Sequence, residues 1–70
     1  MSFRPEVLVI NDSKWYDNGV RFATRAEAES YASNLAGRWT AVRRHRATEC
    51  EDAVTHRWLG DRSVRIEEVN

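Results

Sequence analysis

The densest group of side chains that could carry chemistry is a basic run, Arg43-Arg44-His45-Arg46, which Arg38 precedes. Guanidinium groups bind phosphates, and a ring such as Trp39 or Trp58 could stack on a base, as in proteins that bind single-stranded nucleic acid. Residues 38–46 contain four arginines and no acidic residue, which favours this function. The segment is therefore a candidate nucleic-acid contact through Arg43, Arg44 and Arg46.

An ordinary solvated strand explains the same run. Cross-strand pairing with acidic residues would neutralise the arginines, and the chain offers Glu49, Glu51, Glu67 and Glu68 for this. Eleven basic and eleven acidic residues give a net charge of zero, whereas a dedicated nucleic-acid binder usually has a basic domain. We therefore expect a solvated or protein-facing sheet, and the sequence leaves open whether the arginines are paired with Glu67 and Glu68 or free.

Two histidines and the single cysteine invite a metal-site or nucleophile interpretation, which their spacing opposes. His45, Cys50 and His56 have the spacings H-x4-C and C-x5-H, which match no zinc pattern of close ligand pairs. Acidic residues flank Cys50 on both sides and disfavour the thiolate that a nucleophile needs. The glycines are isolated, so no phosphate-binding loop is predicted. We expect no metal, no cofactor and no catalysis.

The aromatic residues are the remaining signal. Trp39 continues the apolar stripe of a predicted helix, so we expect it in the core. Trp15 and Trp58 each lie among polar residues of predicted strands. A helix covers only one face of a sheet in so small a domain, and a ring on the bare face would form an exposed apolar patch typical of an interface. Trp15 and Trp58 are therefore candidate partner contacts.

A helix over about residues 24–38 must position these groups. Thr24 and Glu27 form a capping box, in which the threonine hydroxyl accepts from the Glu27 amide and the carboxylate reaches back to the Thr24 amide. Apolar residues follow at helical spacing, namely Ala28, Tyr31, Ala32, Leu35, Ala36 and Trp39. Phe22 stands where it can pack against this stripe as a hydrophobic staple. The small alanines let the helix lie close to a sheet.

Strands are predicted on both sides of the helix. Residues 6–10 form the first, after a loose terminus at 1–5 that Pro5 keeps out of a paired strand. Residues 14–22 are extended, with a turn or bulge at Asn18-Gly19, and we favour one hairpin closed at 11–13 over a second closed at 18–19. Residues 40–49 form a long strand, and 54–59 and 63–69 a hairpin over Gly60-Asp61.

The order is β-β-α-β-β-β, an α+β class with one helix packed on one face of an antiparallel sheet. Seventy residues predict a single domain over 1–70. The longest apolar run is the four residues Val7–Ile10, far short of a membrane span or a leader. One cysteine cannot form an internal disulfide. We expect a cytoplasmic protein with no membrane contact.

One stretch resembles a family of small uncharacterised bacterial and phage-borne domains. It carries their core pattern W…NG.RF.T..EA..YA..LA.RW, here from Trp15 to Trp39, and the match covers roughly residues 14–58. The resemblance implies a compact α+β fold, no assigned activity and no catalytic residues. Together with the residues themselves it favours a non-catalytic module that binds a protein partner or forms a homodimer. The alternative is a nucleic-acid-associated accessory protein that uses residues 43–46.

Overall fold

One α-helix and five β-strands make up the structure, a computed structural model that describes residues 1–11 and 13–66. In chain order they are β1 (Ser2–Val9), β2 (Trp15–Tyr16), α1 (Arg25–Arg38), β3 (Val42–Cys50), β4 (His56–Trp58) and β5 (Ser63–Arg65). The predicted α+β class and element order are confirmed. No helix within the described residues is long and apolar enough to cross a membrane.

The strands divide between two antiparallel sheets. β1 is the centre of a three-stranded sheet with the order β2-β1-β3, and β4 and β5 form a separate hairpin. The hairpin joins the rest through Arg21, whose backbone oxygen accepts from the amides of Thr55 at 2.9 Å and His56 at 3.0 Å. Helix α1 lies over β1 and β3, so one face of the larger sheet is covered.

The expectation of a loose N-terminus is wrong, because β1 begins at Ser2 and is paired along its length. Phe3 exchanges two backbone hydrogen bonds with Phe22, at 2.8 and 2.9 Å. Pro5 is buried in this central strand opposite Ala47 of β3. By strand alternation the nitrogen of Pro5 points to the same edge of β1 as the nitrogen of Phe3. On that edge Pro5 lies between two paired positions, the Phe3–Phe22 bridge and the Val7–Tyr16 pair. The missing N–H therefore interrupts no described ladder bond.

The favoured hairpin closed at residues 11–13 is confirmed. β1 and β2 pair through Val7 with Tyr16 and Leu8 with Trp15, and Asn11 adopts a left-handed φ of +68°. β2 is shorter than expected because the chain turns at 17–19, where the Asp17 carboxylate accepts from the Gly19 amide at 2.7 Å. Gly19 has a φ of +77°, which accounts for glycine there.

The helix begins as predicted, with one difference in its cap. The Thr24 hydroxyl accepts from the Glu27 amide at 3.2 Å, but the Glu27 carboxylate bonds that hydroxyl at 3.0 Å and the Trp58 amide at 3.0 Å. The cap thus also fixes strand β4 to the first turn of α1. Ala28 and Ala32 are buried against the sheet.

Phe22 is the centre of the core. It is fully buried and lies against Tyr31, with ring centroids 5.5 Å apart. The other residues of this cluster are Val20, Ala28, Ala47, Phe3, Tyr31 and Trp58. Since the core includes residues from strands, helix and hairpin, it holds the two sheets and α1 in one unit.

The last three strands keep the predicted positions with shifted ends. β3 runs from Val42 to Cys50 instead of 40–49. β4 and β5 are three residues each, joined by a turn in which Gly60 has a φ of +96°. The predicted end of the last strand, through Val69, lies outside the described residues.

Candidate interaction surfaces

The face of the three-stranded sheet turned away from α1, here called the open face, is polar. Paired residues of antiparallel strands point to the same face, so the register assigns its members. They are Ser2, Arg4, Glu6, Leu8, Trp15, Arg44, Arg46, Thr48 and Cys50. Two of the predicted contact residues, Trp15 and Arg46, come directly together on this face.

A buried carboxylate organises the open face. Glu6 is only 6% exposed, and its Oε1 accepts from the Thr48 hydroxyl at 2.6 Å and from Arg46 Nε at 2.8 Å. Arg4 Nε lies 3.4 Å from the other carboxylate oxygen. Burial by itself would raise the pKa of Glu6, but these hydrogen bonds and the charges of Arg46 and Arg4 outweigh it and hold the pKa below its ordinary value.

Arg46 stacks on Trp15, with its guanidinium carbon 3.9 Å from the ring centroid. Because the same guanidinium bonds Glu6, the half-exposed Arg46 side chain is held against the sheet and its charge is compensated. The ring of Trp15 is half-buried beneath it. The sequence thus identified Trp15 and Arg46, two residues of one site. In the structure they contact each other, and Arg46 also bonds Glu6.

A second ionic group lies beside the open face. Arg21 Nε donates to Asp52 at 2.9 Å, and its Nη1 donates to Asp17 at 3.2 Å. Burial tends to lower the pKa of Arg21, but its hydrogen bonds, first to Asp52 and then to Asp17, raise that pKa above its ordinary value. Burial tends to raise the pKa of Asp17, but hydrogen bonds from the Gly19 amide and then from Arg21 hold that pKa below its ordinary value. This group ties the 17–21 turn to the bend after β3.

Arg43 and Arg44 are both exposed on β3. Arg44 lies on the open face opposite Leu8, whereas Arg43 lies at the register shift between the Leu8–Arg44 and Val9–Val42 pairs. Within residues 1–11 and 13–66 neither forms an ion pair, and the suggested partners Glu49 and Glu51 form none either. Pairing with Glu67 and Glu68 lies outside the described residues. Because His45 lies on the face opposite to that of Arg44, and Arg46 is bonded to Glu6, the basic run does not form one continuous basic face.

Trp58 lies half-buried at the edge of the core. Its ring meets Tyr31 edge-on at 6.1 Å, and its amide donates to Glu27. It is half-buried on the inner face of the β4–β5 hairpin, far along the chain from Trp15 and on the opposite side of the large sheet. Trp15 and Trp58 thus belong to different surroundings.

The expectation that Trp39 is a core residue is wrong. It is the C-cap of α1, with φ −116° and ψ 98°, and it is 43% exposed. Leaving the helix at this residue rotates its side chain off the stripe that Ala28 and Ala32 bury. Ile10 is also exposed, and its amide donates to the oxygen of Ala41, two residues after Trp39.

An apolar surface that the sequence reasoning missed lies on the outer face of the β4–β5 hairpin. Arg57 pairs with Val64, and the ladder continues through Leu59 with Arg62 and Ile66 with Thr55. By alternation Leu59, Val64 and Ile66 share the face opposite His56 and Trp58. They are 50%, 40% and 42% exposed. We call these three residues the hairpin patch. In the sequence, the alternation of Val64 and Ile66 with Ser63 and Arg65 was the available signal.

The histidines and the cysteine are apart in the described structure. His45 lies opposite Val7, His56 Nδ1 is 2.7 Å from the Thr55 hydroxyl, and Cys50 Sγ is 3.1 Å from the Ser2 hydroxyl. Burial, and then the charge of Arg65, lowers the pKa of His56. No group of three or more potential metal ligands occurs among the residues described.

Hollows of the described surface include an open groove and a small void. One, of about 570 Å³, is a groove open to solvent along the outside of α1, lined by Ala26, Glu29, Ser30, Ser33, Asn34, His45, Trp58 and Gly60. The other is a void of about 10 Å³ between α1 and β1, near Tyr31 and Val7, about the size of one water molecule.

The fold and these surfaces define the chain as a small α+β domain with a polar, ion-paired sheet face and an apolar hairpin face. Comparison with protein-family models, with curated proteins and with solved structures found no match to this chain.

Proposed function

We propose that this protein is a non-catalytic module that binds another protein through the hairpin patch. The observation that carries the proposal is the alignment of Leu59, Val64 and Ile66 on one face of the β4–β5 hairpin, each at least 40% exposed. Aliphatic side chains gathered on one exposed sheet face gain free energy when a partner removes them from water.

The surroundings of the patch suit a protein partner. Arg57 lies on the same face, opposite Val64, so a polar group flanks the apolar surface as at the rim of an interface. The inner face of the hairpin is anchored by Trp58 against Tyr31 and by its amide to Glu27. A patch on an anchored hairpin is preorganised, which lowers the entropic cost of binding.

The test compares Val64→Lys with Ser33→Lys, which places the same charge on the exposed side of α1. Proteins captured from the source cells by the wild type and by Ser33→Lys should be lost with Val64→Lys. A captured partner, once purified, should shift the methyl NMR signals of Leu59, Val64 and Ile66. Equal capture by the wild type and both variants, or NMR shifts confined to other residues, would contradict the proposal.

A nucleic-acid-associated accessory role is the second candidate. Arg44 favours it, because this exposed arginine shares the open face with Trp15 and has no acidic partner in the described part of the chain. Single- and double-stranded oligonucleotides should then bind more tightly as the salt concentration falls, and Arg44→Glu should weaken binding. Affinity that stays weak in low salt would remove this candidate.

A further inference from the structure

The edge of β5 that faces away from β4 is open in the described part of the chain. β5 (Ser63–Arg65) pairs with β4 on one side, in a sheet of the order β4-β5. No backbone hydrogen bond between described residues reaches its other side. An open strand edge is a template for pairing with a further strand.

The pairing inside the hairpin determines which peptide groups this edge presents. The register between β4 and β5 has no shift. The amide of Ile66 donates to the Thr55 oxygen at 2.9 Å, so the peptide group of Ile66 points toward β4. Because successive residues of a strand direct their peptide groups to opposite edges, Ser63 and Arg65 direct theirs outward.

The far edge of β4 supports this orientation. The amide of His56 donates to the Arg21 oxygen at 3.0 Å and therefore points away from β5. Its partner in the ladder is Arg65. Two residues that lie opposite each other in an antiparallel pair direct their peptide groups both inward or both outward. The N–H and C=O groups of Arg65, and of Ser63 two residues before it, are therefore available to another strand.

Exposed arginines flank the hairpin patch beside this edge. Arg57 and Arg62 lie on the outer face with the patch, because they pair with Val64 and Leu59. Arg65 lies on the inner face of β5. Among the described residues none of these three arginines forms an ion pair. The surface along β5 therefore combines aliphatic side chains with uncompensated positive charge.

We propose that the partner of the hairpin patch supplies an extended segment with aliphatic and acidic side chains, which adds to β5 as a third, antiparallel strand. The inference rests on the proposed function, since the same partner covers the patch. The backbone of the segment bonds the outward groups of Ser63 and Arg65, and its side chains supply the apolar contact and the counter-charges. The antiparallel direction is the more stable pairing per residue.

A peptide strand fits this edge better than a nucleic acid does. It offers both C=O and N–H groups at the spacing of those on Ser63 and Arg65, whereas a phosphate accepts but does not donate. On the outer face, aliphatic side chains would lie beside Val64 and Ile66 and a carboxylate beside Arg62. On the inner face, a carboxylate would lie beside Arg65 and a small polar side chain beside Ser63. In the antiparallel direction this pattern corresponds to the sequence Val-Glu-Val-Thr-Glu.

The test is an NMR titration of the full chain with a capped synthetic peptide of that sequence. The amide signals of Ser63 and Arg65 should shift, and their hydrogen exchange should slow. The second and fourth residues of the peptide direct their N–H groups to β5. N-methylation of these two should weaken binding by about tenfold or more, because it removes two hydrogen bonds. N-methylation of the third and fifth residues is the matched control and should change the affinity by less than about twofold, because their N–H groups point away from β5.

The charges and the patch are tested with the same titration. A peptide with lysine in place of both glutamates should bind at least about tenfold more weakly. Val64→Lys should weaken binding of the original peptide, and Ser33→Lys should not. Circular dichroism confirms that both variants are folded.

The outcomes separate the added strand from the proposed function. A peptide that does not bind, or that both pairs of N-methyl groups weaken equally, overturns the added strand. Binding that Val64→Lys abolishes and N-methylation leaves unchanged overturns the added strand but supports a contact through the patch. Shifts of the Ser63 and Arg65 amides that only an oligonucleotide, or only a higher concentration of the chain itself, produces would identify another occupant and overturn it too. Failure of the proposed function appears instead as partner capture that Val64→Lys does not change.

Discussion

Arg46 joins Trp15 to Glu6: its guanidinium carbon lies 3.9 Å from the Trp15 ring centroid while its Nε donates to Glu6 at 2.8 Å. This contact covers a buried carboxylate on a sheet face that α1 leaves uncovered. Side chains of the sheet itself thus cover Glu6 on the open face. The basic strand that suggested nucleic-acid binding uses one of its arginines in this internal role.

Removing the carboxylate should destabilise the fold. Glu6→Ala leaves the Thr48 hydroxyl without its acceptor and Arg46 and Arg4 without their counter-charge. We expect the free energy of unfolding to fall by about 1–3 kcal/mol, and less for Arg46→Ala, because that side chain is half-exposed. Urea denaturation followed by circular dichroism measures both. Glu29→Ala on the exposed side of α1 is the control; a loss as large there would contradict the assignment.

Stability should fall in acid. The pKa values of Glu6 and Asp17 lie below their ordinary values of 4.5 and 3.8. Their stabilisation is therefore complete above those ordinary values and is lost as the pH falls through the lower folded-state values. Urea denaturation from neutral pH to about pH 2 measures the change. Glu6→Gln should flatten part of the curve, and an unchanged slope would contradict the role of Glu6.

Two tryptophans should differ in their contribution to stability. Trp39→Ala should change the free energy of unfolding by no more than about 0.5 kcal/mol, because the ring is exposed at the helix end. Trp58→Ala should cost about 2 kcal/mol, because it removes the edge contact with Tyr31. Thermal denaturation of the two variants distinguishes them. Equal losses would mean that Trp39 is packed as the helix stripe predicted.

Glu27 should matter more than an ordinary capping residue. Glu27→Ala removes the acceptor of both the Thr24 hydroxyl and the Trp58 amide, so we expect a loss of about 1–2 kcal/mol. Thr24→Ala should cost about 1 kcal/mol. Hydrogen exchange at the Trp58 amide should accelerate in Glu27→Ala and stay slow in Thr24→Ala. Similar acceleration in both would show that the carboxylate does not hold β4.

The sequence was sufficient to predict those elements that depend on interactions between neighbouring residues. The Thr24 and Glu27 pattern located the helix start, Asn11 and Gly19 marked turns, and Gly60 marked the last hairpin. These predictions held because capping and left-handed backbone depend on residues within a few positions of each other. The same reasoning failed at Pro5, because a proline is tolerated in a central strand where its nitrogen faces a position without a ladder hydrogen bond.

The sequence by itself determined the α+β class, the order of elements and the residues that could carry charge or stack. Only the tertiary structure decided which of them meet. Glu6 and Arg46 are forty residues apart and become neighbours through the β1–β3 register, while Trp58 is drawn into the core by Tyr31 and Glu27. Register and packing are set by burial over the whole chain, which no local pattern encodes.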